Sequence, residues 1–215
     1  MQLASMLKIE RGVTALIGAG GKTTLLLALA RELQRQGTVI VCTTTHILLP
    51  PMPVYSSLPE TAERCICIGT PAENGKLTAP QMPMEQLARA ADFVLVEADG
   101  AHGLPVKAHA EYEPVIPAEA NQTILVLGLS GIGRPVREVV HRQEIFCELT
   151  GVSADALLSP ALAAALLERE RLHTRVFLNQ ADDAERQQQG RDLAKELSCP
   201  VCMGALERGT AICLY

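Results

Sequence analysis

The chain is poor in aromatic residues: of 215 positions none is Trp, three are Phe and three are Tyr. Any core must therefore be built mainly from Leu, Val, Ile and Ala, and an apolar fraction of 48% is enough for a sizeable one. There is no basic run and no basic surplus. A net charge of -5 argues against a general nucleic-acid binder and against a polybasic membrane patch. No stretch reaches the ~18 uninterrupted apolar residues of a membrane-spanning helix. A secretory leader is not expected either, because Lys8, Glu10 and Arg11 precede the first apolar run and the stretch from Gly18 to Lys22 soon interrupts it. The expectation is a soluble, cytoplasmic protein with no nucleic-acid or membrane partner.

The cysteines do not form an even set. There are seven of them, in a chain long enough to need no staples, so most are expected to be buried thiols acting as small hydrophobes. Cys199 and Cys202 have the spacing of a redox motif but lie inside an apolar run rather than at the start of a helix, which favours a structural role. Cys65 and Cys67 alternate as strand residues do.

What is present is a regular alternation of elements. VTALIGA (13–19), TVIVCTTT (38–45), DFVLVEAD (92–99), TILVLGL (123–129), TRVFLNQ (174–180) and CPVCMGAL (199–206) read as strands that are apolar along most of their length. Helices are expected over 23–36, 84–90, most of 142–171 and 185–197, with Ser159 as a cap and Pro160 in the first turn. Residues 46–60 hold four prolines and read as loop, and 64–70 with 76–79 read as a hairpin turning at Asn74 and Gly75. Strands buried on both faces and alternating with helices indicate an α/β fold, a mostly parallel sheet with helices on both faces. A single domain over 1–215 is expected, with a small hairpin insertion around 64–80. In such sheets ligands bind beyond the carboxyl ends of the strands.

Several chemically distinctive segments sit at those ends. Gly18, Ala19, Gly20, Gly21, Lys22, Thr23 and Thr24 follow a strand and open a helix, the context of a P-loop NTPase phosphate loop. Glycines let successive N–H groups turn toward phosphate oxygens, and the helix N-terminus adds partial positive charge. Lys22 can reach the β- and γ-phosphates of ATP or GTP, and the Thr23 hydroxyl can ligate Mg²⁺. The spacing is the compact Gly-x-x-Gly-Lys-Thr, with Leu16 where a standard loop has its first glycine.

Glu97 and Asp99 close a strand two residues apart, so both side chains leave it on one side. One such carboxylate can hold Mg²⁺ through water while the other orients or activates a nucleophile. An acidic pair is also ordinary turn chemistry. Lys22, Glu97 and Asp99 are the catalytic candidates, and Thr23 with Asp99 the candidate Mg²⁺ ligands. Thr44, Thr45 and His46 end the second strand beside the same crevice and are candidates to meet a substrate. Asn179 and Asp182 occupy the place where guanine-specific P-loop proteins read the base, but Gln180 stands where those proteins carry lysine, so ATP and GTP both stay open.

Together, GAGGKTT, TTTH, VEADGAHGLPVKA (96–108), YEPVIP (112–117), LGLSGIGRPV (128–136), HRQE (141–144) and LNQAD (178–182) resemble the selenium-dependent hydroxylase accessory proteins, the YqeC family of P-loop proteins. The likeness runs from about residue 10 to the end. It implies a nucleotide site at Gly18 to Thr24 and a role in maturing selenium-containing molybdenum hydroxylases, with such a hydroxylase or its cofactor as partner. It also places Lys107, Glu113, His141 and Arg142 on the substrate side. Two activities fit: an enzyme that uses nucleotide chemistry on a small molecule, as a kinase or ligase does, and a nucleotide-switched cofactor chaperone.

Overall fold

Gly12–Gly18 carries only apolar and small side chains apart from Thr14, so it has no polar face to turn to water and pairs along both edges. The computed structural model describes residues 2–60 and 63–214. In chain order, α1 (Leu3–Met6) precedes β1 (Gly12–Gly18), α2 (Lys22–Leu33) and β2 (Val39–Thr43). Short strands β3 (His46–Leu48), β4 (Val54–Tyr55) and β5 (Cys65–Ile68) lead to a hairpin of β6 (Thr70–Ala72) and β7 (Lys76–Thr78). Then come α3 (Met84–Ala90), β8 (Phe93–Glu97), β9 (Val106–Lys107) and β10 (Ala120–Gly128). The remainder holds α4 (Val136–Val139), β11 (Val140–His141), α5 (Gln143–Thr150), α6 (Pro160–Glu170), β12 (Arg175–Asn179), α7 (Ala184–Lys195), β13 (Val201–Ala205) and β14 (Thr210–Cys213).

Among the described residues the main sheet has nine strands, in the order β14-β13-β12-β10-β1-β8-β2-β5-β4. Every pairing is parallel except β13 with β14. This is the expected α/β architecture, with β1 at the centre. Alternate residues of each strand feed opposite cores. Ile17, Leu125, Leu127 and Leu178 pack with Phe146, Leu166, Leu167 and Leu193 of α5, α6 and α7. Leu16, Val126 and Phe177 pack with Leu25, Leu29 and Leu33 of α2 and with Leu3 of α1. Ser159 caps α6 as expected, accepting the Leu162 N–H, and Pro160 occupies its first turn.

Two expectations need correction. Residues 46–60 are not all loop: Pro50, Pro51 and Pro53 leave room for His46–Leu48 to pair antiparallel with β7 and for Val54–Tyr55 to pair with β5. The hairpin at Asn74 and Gly75 exists, and both residues have positive φ, but its first arm is Thr70–Ala72. Cys65–Ile68, with Ile66, Cys67 and Ile68 buried, instead joins the main sheet beside β2. The short α1, the β9–β11 pair and the antiparallel edge β14 were not foreseen; α1 is fixed by Glu32, whose carboxylate accepts the Leu3 and Ala4 N–H groups.

The turn after β1 is held from behind. The Ala19 N–H donates to Val126 O at 2.8 Å and the Gly20 N–H to Leu104 O at 3.2 Å. Gly20 has φ +78° and lies so close to the Gly128 backbone and Pro105 that a Cβ would collide with both. Gly133 has a similar φ of +82° but faces open space. Gly20→Ala is therefore expected to cost about 2–5 kcal/mol in denaturant unfolding, combining a left-handed backbone penalty with overpacking. Gly133→Ala should carry only the first part, about 1–2 kcal/mol. Equal losses in the two variants would mean that the turn is not packed as described.

Candidate functional site

The carboxyl ends of β1, β2, β8, β10 and β12 all open on one edge of the sheet, and the parallel registers bring Leu16, Thr43 and Glu97 level. α2 starts at Lys22 with Gly21 before it at φ 124°, and no side chain caps its first turn. Above this edge lies a cavity of about 600 Å³. Its walls are Gly20 to Thr24, Thr45 to Leu48, Lys76, Glu97, Gly100 to Leu104 and Gln180. A smaller cavity of about 210 Å³ shares Gly21, Thr24 and Gln180 with it and is closed by Ser130, Asn179, Asp182, Arg186 and Leu206 among others.

The two carboxylates of β8 and its extension are placed differently. Glu97 lines the larger cavity, its Oε2 accepting the Thr23 hydroxyl at 2.8 Å and its Oε1 3.8 Å from Lys22 Nζ. Burial raises its carboxyl above the ordinary value, against the opposing pull of Lys22 and Thr23. Asp99 is fully buried behind the loop. Its Oδ2 accepts the Gly18 N–H at 2.8 Å and lies 2.8 Å from His109 Nε2 and 3.5 Å from Lys107 Nζ; its Oδ1 faces Lys22 Nζ at 3.0 Å. Burial alone would raise the Asp99 carboxyl, but the His109 hydrogen bond, Lys22, Lys107 and the Gly18 N–H together hold it below the carboxylate range. Thr23 therefore touches Glu97, and Asp99 touches Lys22.

Of the seven loop residues from Gly18 to Thr24, the last five line the cavity, while the Gly18 and Ala19 N–H groups are engaged by Asp99 and Val126. Lys22 Nζ also donates to Gly18 O at 2.7 Å. Thr45 and His46 face the larger cavity. Thr44 is instead an anchor, its N–H on Glu97 O and its hydroxyl on Val115 O. Lys107 is buried, 2.8 Å from Glu113 Oε1, and Arg142 reaches the same oxygen at 2.9 Å and stacks over Tyr112 with its guanidinium carbon 4.9 Å from the ring centre. His141 lies level with Lys107 in the β9–β11 pair, and its ring is 4.8 Å from that of His102, a wall of the cavity. Burial, with Lys107, His102 and Arg142 nearby, lowers the His141 imidazole.

Asn179 is a brace. Its Nδ2 donates to Gly20 O at 2.8 Å and its Oδ1 accepts the Leu206 N–H at 3.2 Å. Asp182 lies on the wall of the smaller cavity, 3.1 Å from Arg186 Nη1. Gln180, at φ 65°, accepts the Ser130 hydroxyl.

The reading of the sequence missed His109 and Glu170. His109 is buried between carboxylates, Nε2 on Asp99 and Nδ1 on Glu170 Oε2, both at 2.8 Å, while its N–H donates to Glu170 Oε1 at 2.7 Å. A neutral imidazole has one N–H, so both contacts are satisfied together by the doubly protonated ring. The i,i+2 spacing of Lys107 and His109 was the one local signal; Glu170, 61 residues away, gives none. Burial would lower the His109 imidazole, but hydrogen bonds to Asp99 and Glu170 raise it on balance, with His173 the other titratable ring nearby.

A group with a raised folded-state pKa contributes stability that is full below its unfolded value, about 6.5 for His, and is lost as pH rises through the folded value. Asp99 acts in the opposite sense, its contribution disappearing only as pH falls below about 3.9. His141 and His173 are lowered, so they change stability on the acid side of about 6.5. Between about pH 6.5 and 8, before thiols ionise, urea unfolding should thus show stability falling with pH in the parent. His109→Gln should flatten that slope whatever its overall stability. A parent whose stability does not fall in that window would contradict the charged His109.

The family model described as YqeC protein matches residues 14–144, which span the loop, Glu97, Asp99, Lys107, His109, Glu113 and Arg142. The protein Uncharacterized protein YqeC of Escherichia coli (strain K12) is 37% identical over 171 residues, covering 72% of this chain and 67% of its own length. A family match over more than half the chain, joined to a relative this similar, leads to one conclusion: the chain belongs to the YqeC family.

Proposed function

We propose that the chain binds a nucleoside triphosphate with its phosphates against Gly20 to Thr24 and, with Mg²⁺, cleaves the terminal phosphate. The observation that carries this reading is the 2.8 Å contact of Thr23 Oγ1 with Glu97 Oε2 at the uncapped start of α2, inside the larger cavity. Thr23 and Glu97 are the hard oxygen donors that fit Mg²⁺, alongside phosphate oxygens and water. Asp99 fits it less well, being fully buried and already surrounded by cationic groups, so the Mg²⁺ assignment moves from Asp99 to Glu97. When bound, the ion supplies charge neutralisation at the phosphates. Lys22 exchanges Gly18 O and the carboxylates for phosphate oxygens, and Asp99 keeps the end of β1 in place while it does so. The setting of this chemistry, maturation of selenium-dependent molybdenum hydroxylases, rests on the family resemblance.

A second reading has its own support. Thr45, His46, Lys76 and His102 converge on the cavity that holds Glu97, which favours transfer of the phosphoryl group to a small acceptor over a chaperone that only switches. The base belongs in the smaller cavity beside Gln180 and Asp182.

Calorimetry with ATP and GTP, with and without Mg²⁺, tests the first reading. Charge-assisted contacts to phosphate are worth roughly 1.5–3 kcal/mol each, so Lys22→Ala should weaken binding about tenfold or more. Glu97→Gln should remove the Mg²⁺-dependent part of the affinity and leave the rest. Parent-like binding in Lys22→Ala would sink the phosphate-loop assignment. For the base, Gln180→Lys should raise the preference for GTP over ATP, and Asp182→Ala should erase whatever preference exists, by about tenfold if Asp182 pairs with guanine. An ATP-to-GTP ratio unchanged in both variants would place base reading elsewhere.

A further inference from the structure

Cys202 and Cys213 lie opposite each other in the antiparallel pair of β13 and β14, with their sulfur atoms 3.2 Å apart. The Leu214 N–H donates to Val201 O at 2.9 Å, one step beyond the pair, so the two cysteines occupy a non-hydrogen-bonded position of the ladder. Opposed Cα atoms there approach to about 4.5 Å, within the roughly 4.4–6.8 Å that a cystine spans. Both thiols also point at one acceptor, the Met6 carbonyl, at 3.5 and 3.6 Å. The motif spacing of Cys199 and Cys202 leads elsewhere. Cys199 packs against the core under α5 to α7, whereas Cys202 belongs to the core under α1 and α2, so the sheet lies between them.

We propose that Cys202 and Cys213 are a reversible modification site, closed into a cross-strand disulfide by a hydroperoxide and reopened by a thiol. Cys213 is exposed and Cys202 is buried, so the oxidant meets Cys213 first. Burial, and then the Cys213 sulfur beside it, raise the Cys202 thiol, which keeps that sulfur protonated while Cys213 reacts. The Cys213 thiolate attacks a peroxide oxygen; an S–O bond forms, the O–O bond breaks, and with hydrogen peroxide the departing hydroxide leaves as water after taking a proton. The Cys202 sulfur then attacks the Cys213 sulfenic acid, forming the S–S bond and breaking S–O; its proton leaves with the hydroxide as a second water. Two thiols lose two electrons and one peroxide gains them.

The link has a route to the candidate site. It would tie down the hairpin whose turn begins at Leu206, and the Leu206 N–H is held by Asn179, which also holds Gly20 O. Oxidation thus stiffens the far wall of the smaller cavity.

The test is peptide mapping of the full chain after hydrogen peroxide, with remaining thiols alkylated in denaturant before trypsin. Cleavage after Lys195 and Arg208 puts Cys202 in the peptide 196–208 and Cys213 in 209–215. The expected result is a crosslink between these two peptides that is lost on adding dithiothreitol, persists in Cys199→Ser and is lost in Cys213→Ser. A link inside 196–208, joining Cys199 to Cys202, would overturn the proposal. So would Cys213 proceeding to sulfinic acid, or staying alkylatable, with no crosslink formed.

Discussion

The Asp99 carboxylate is the contact on which the rest of the site depends. It joins the end of β1 through the Gly18 N–H, the first residue of α2 through Lys22, and the segment after β9 through His109. Each partner is buried, so each needs the others: without the carboxylate, Lys22, Lys107 and the His109 imidazolium would share a water-poor interior with less counter-charge. Two residues earlier, Glu97 pairs with a hydroxyl on the wall of the larger cavity, and burial raises its carboxyl rather than lowering it. The opposite shifts of these neighbouring carboxylates set apart an ion-paired charge behind the loop from a carboxyl on the cavity wall.

Beyond Asp99 the charges alternate outward in two branches. One runs through His109 to Glu170 at the end of α6. The other runs through Lys107 and Glu113 to Arg142, and from there to the hydroxyl of the exposed Tyr112. The glycine-rich loop after β1 is thereby connected to the helical layer on one side and to the surface on the other.

Much of the fold was legible because its signals are local. Apolar runs closed by glycine or carboxylate marked β1, β8 and β10, and Ser159 with Pro160 marked the start of α6. The short strands were not legible: two or three residues such as Val54–Tyr55 carry no periodicity, and only a partner distant in sequence makes them strands. The same limit applies at the site. Lys22, Thr23, Glu97 and Asp99 could be named from spacing, but which carboxylate met which partner depended on how the strand end turns after Glu97. Asn179 stands where a base reader is expected from the sequence, yet its amide is spent on Gly20 O and the Leu206 N–H, a fact with no trace in the neighbouring residues.

The borders of the main sheet carry a consequence of their own. A nine-stranded sheet is a template for further strands wherever its outer backbone groups are open over a long enough run. One border is β4, two residues long and preceded by Pro50, Pro51 and Pro53; the other is β14, four residues long and antiparallel to its neighbour. Neither matches the five or six residues of an ordinary strand. Among the described residues the sheet thus closes with a short strand on both sides, which guards against the edge-to-edge aggregation that so large an apolar sheet would otherwise invite.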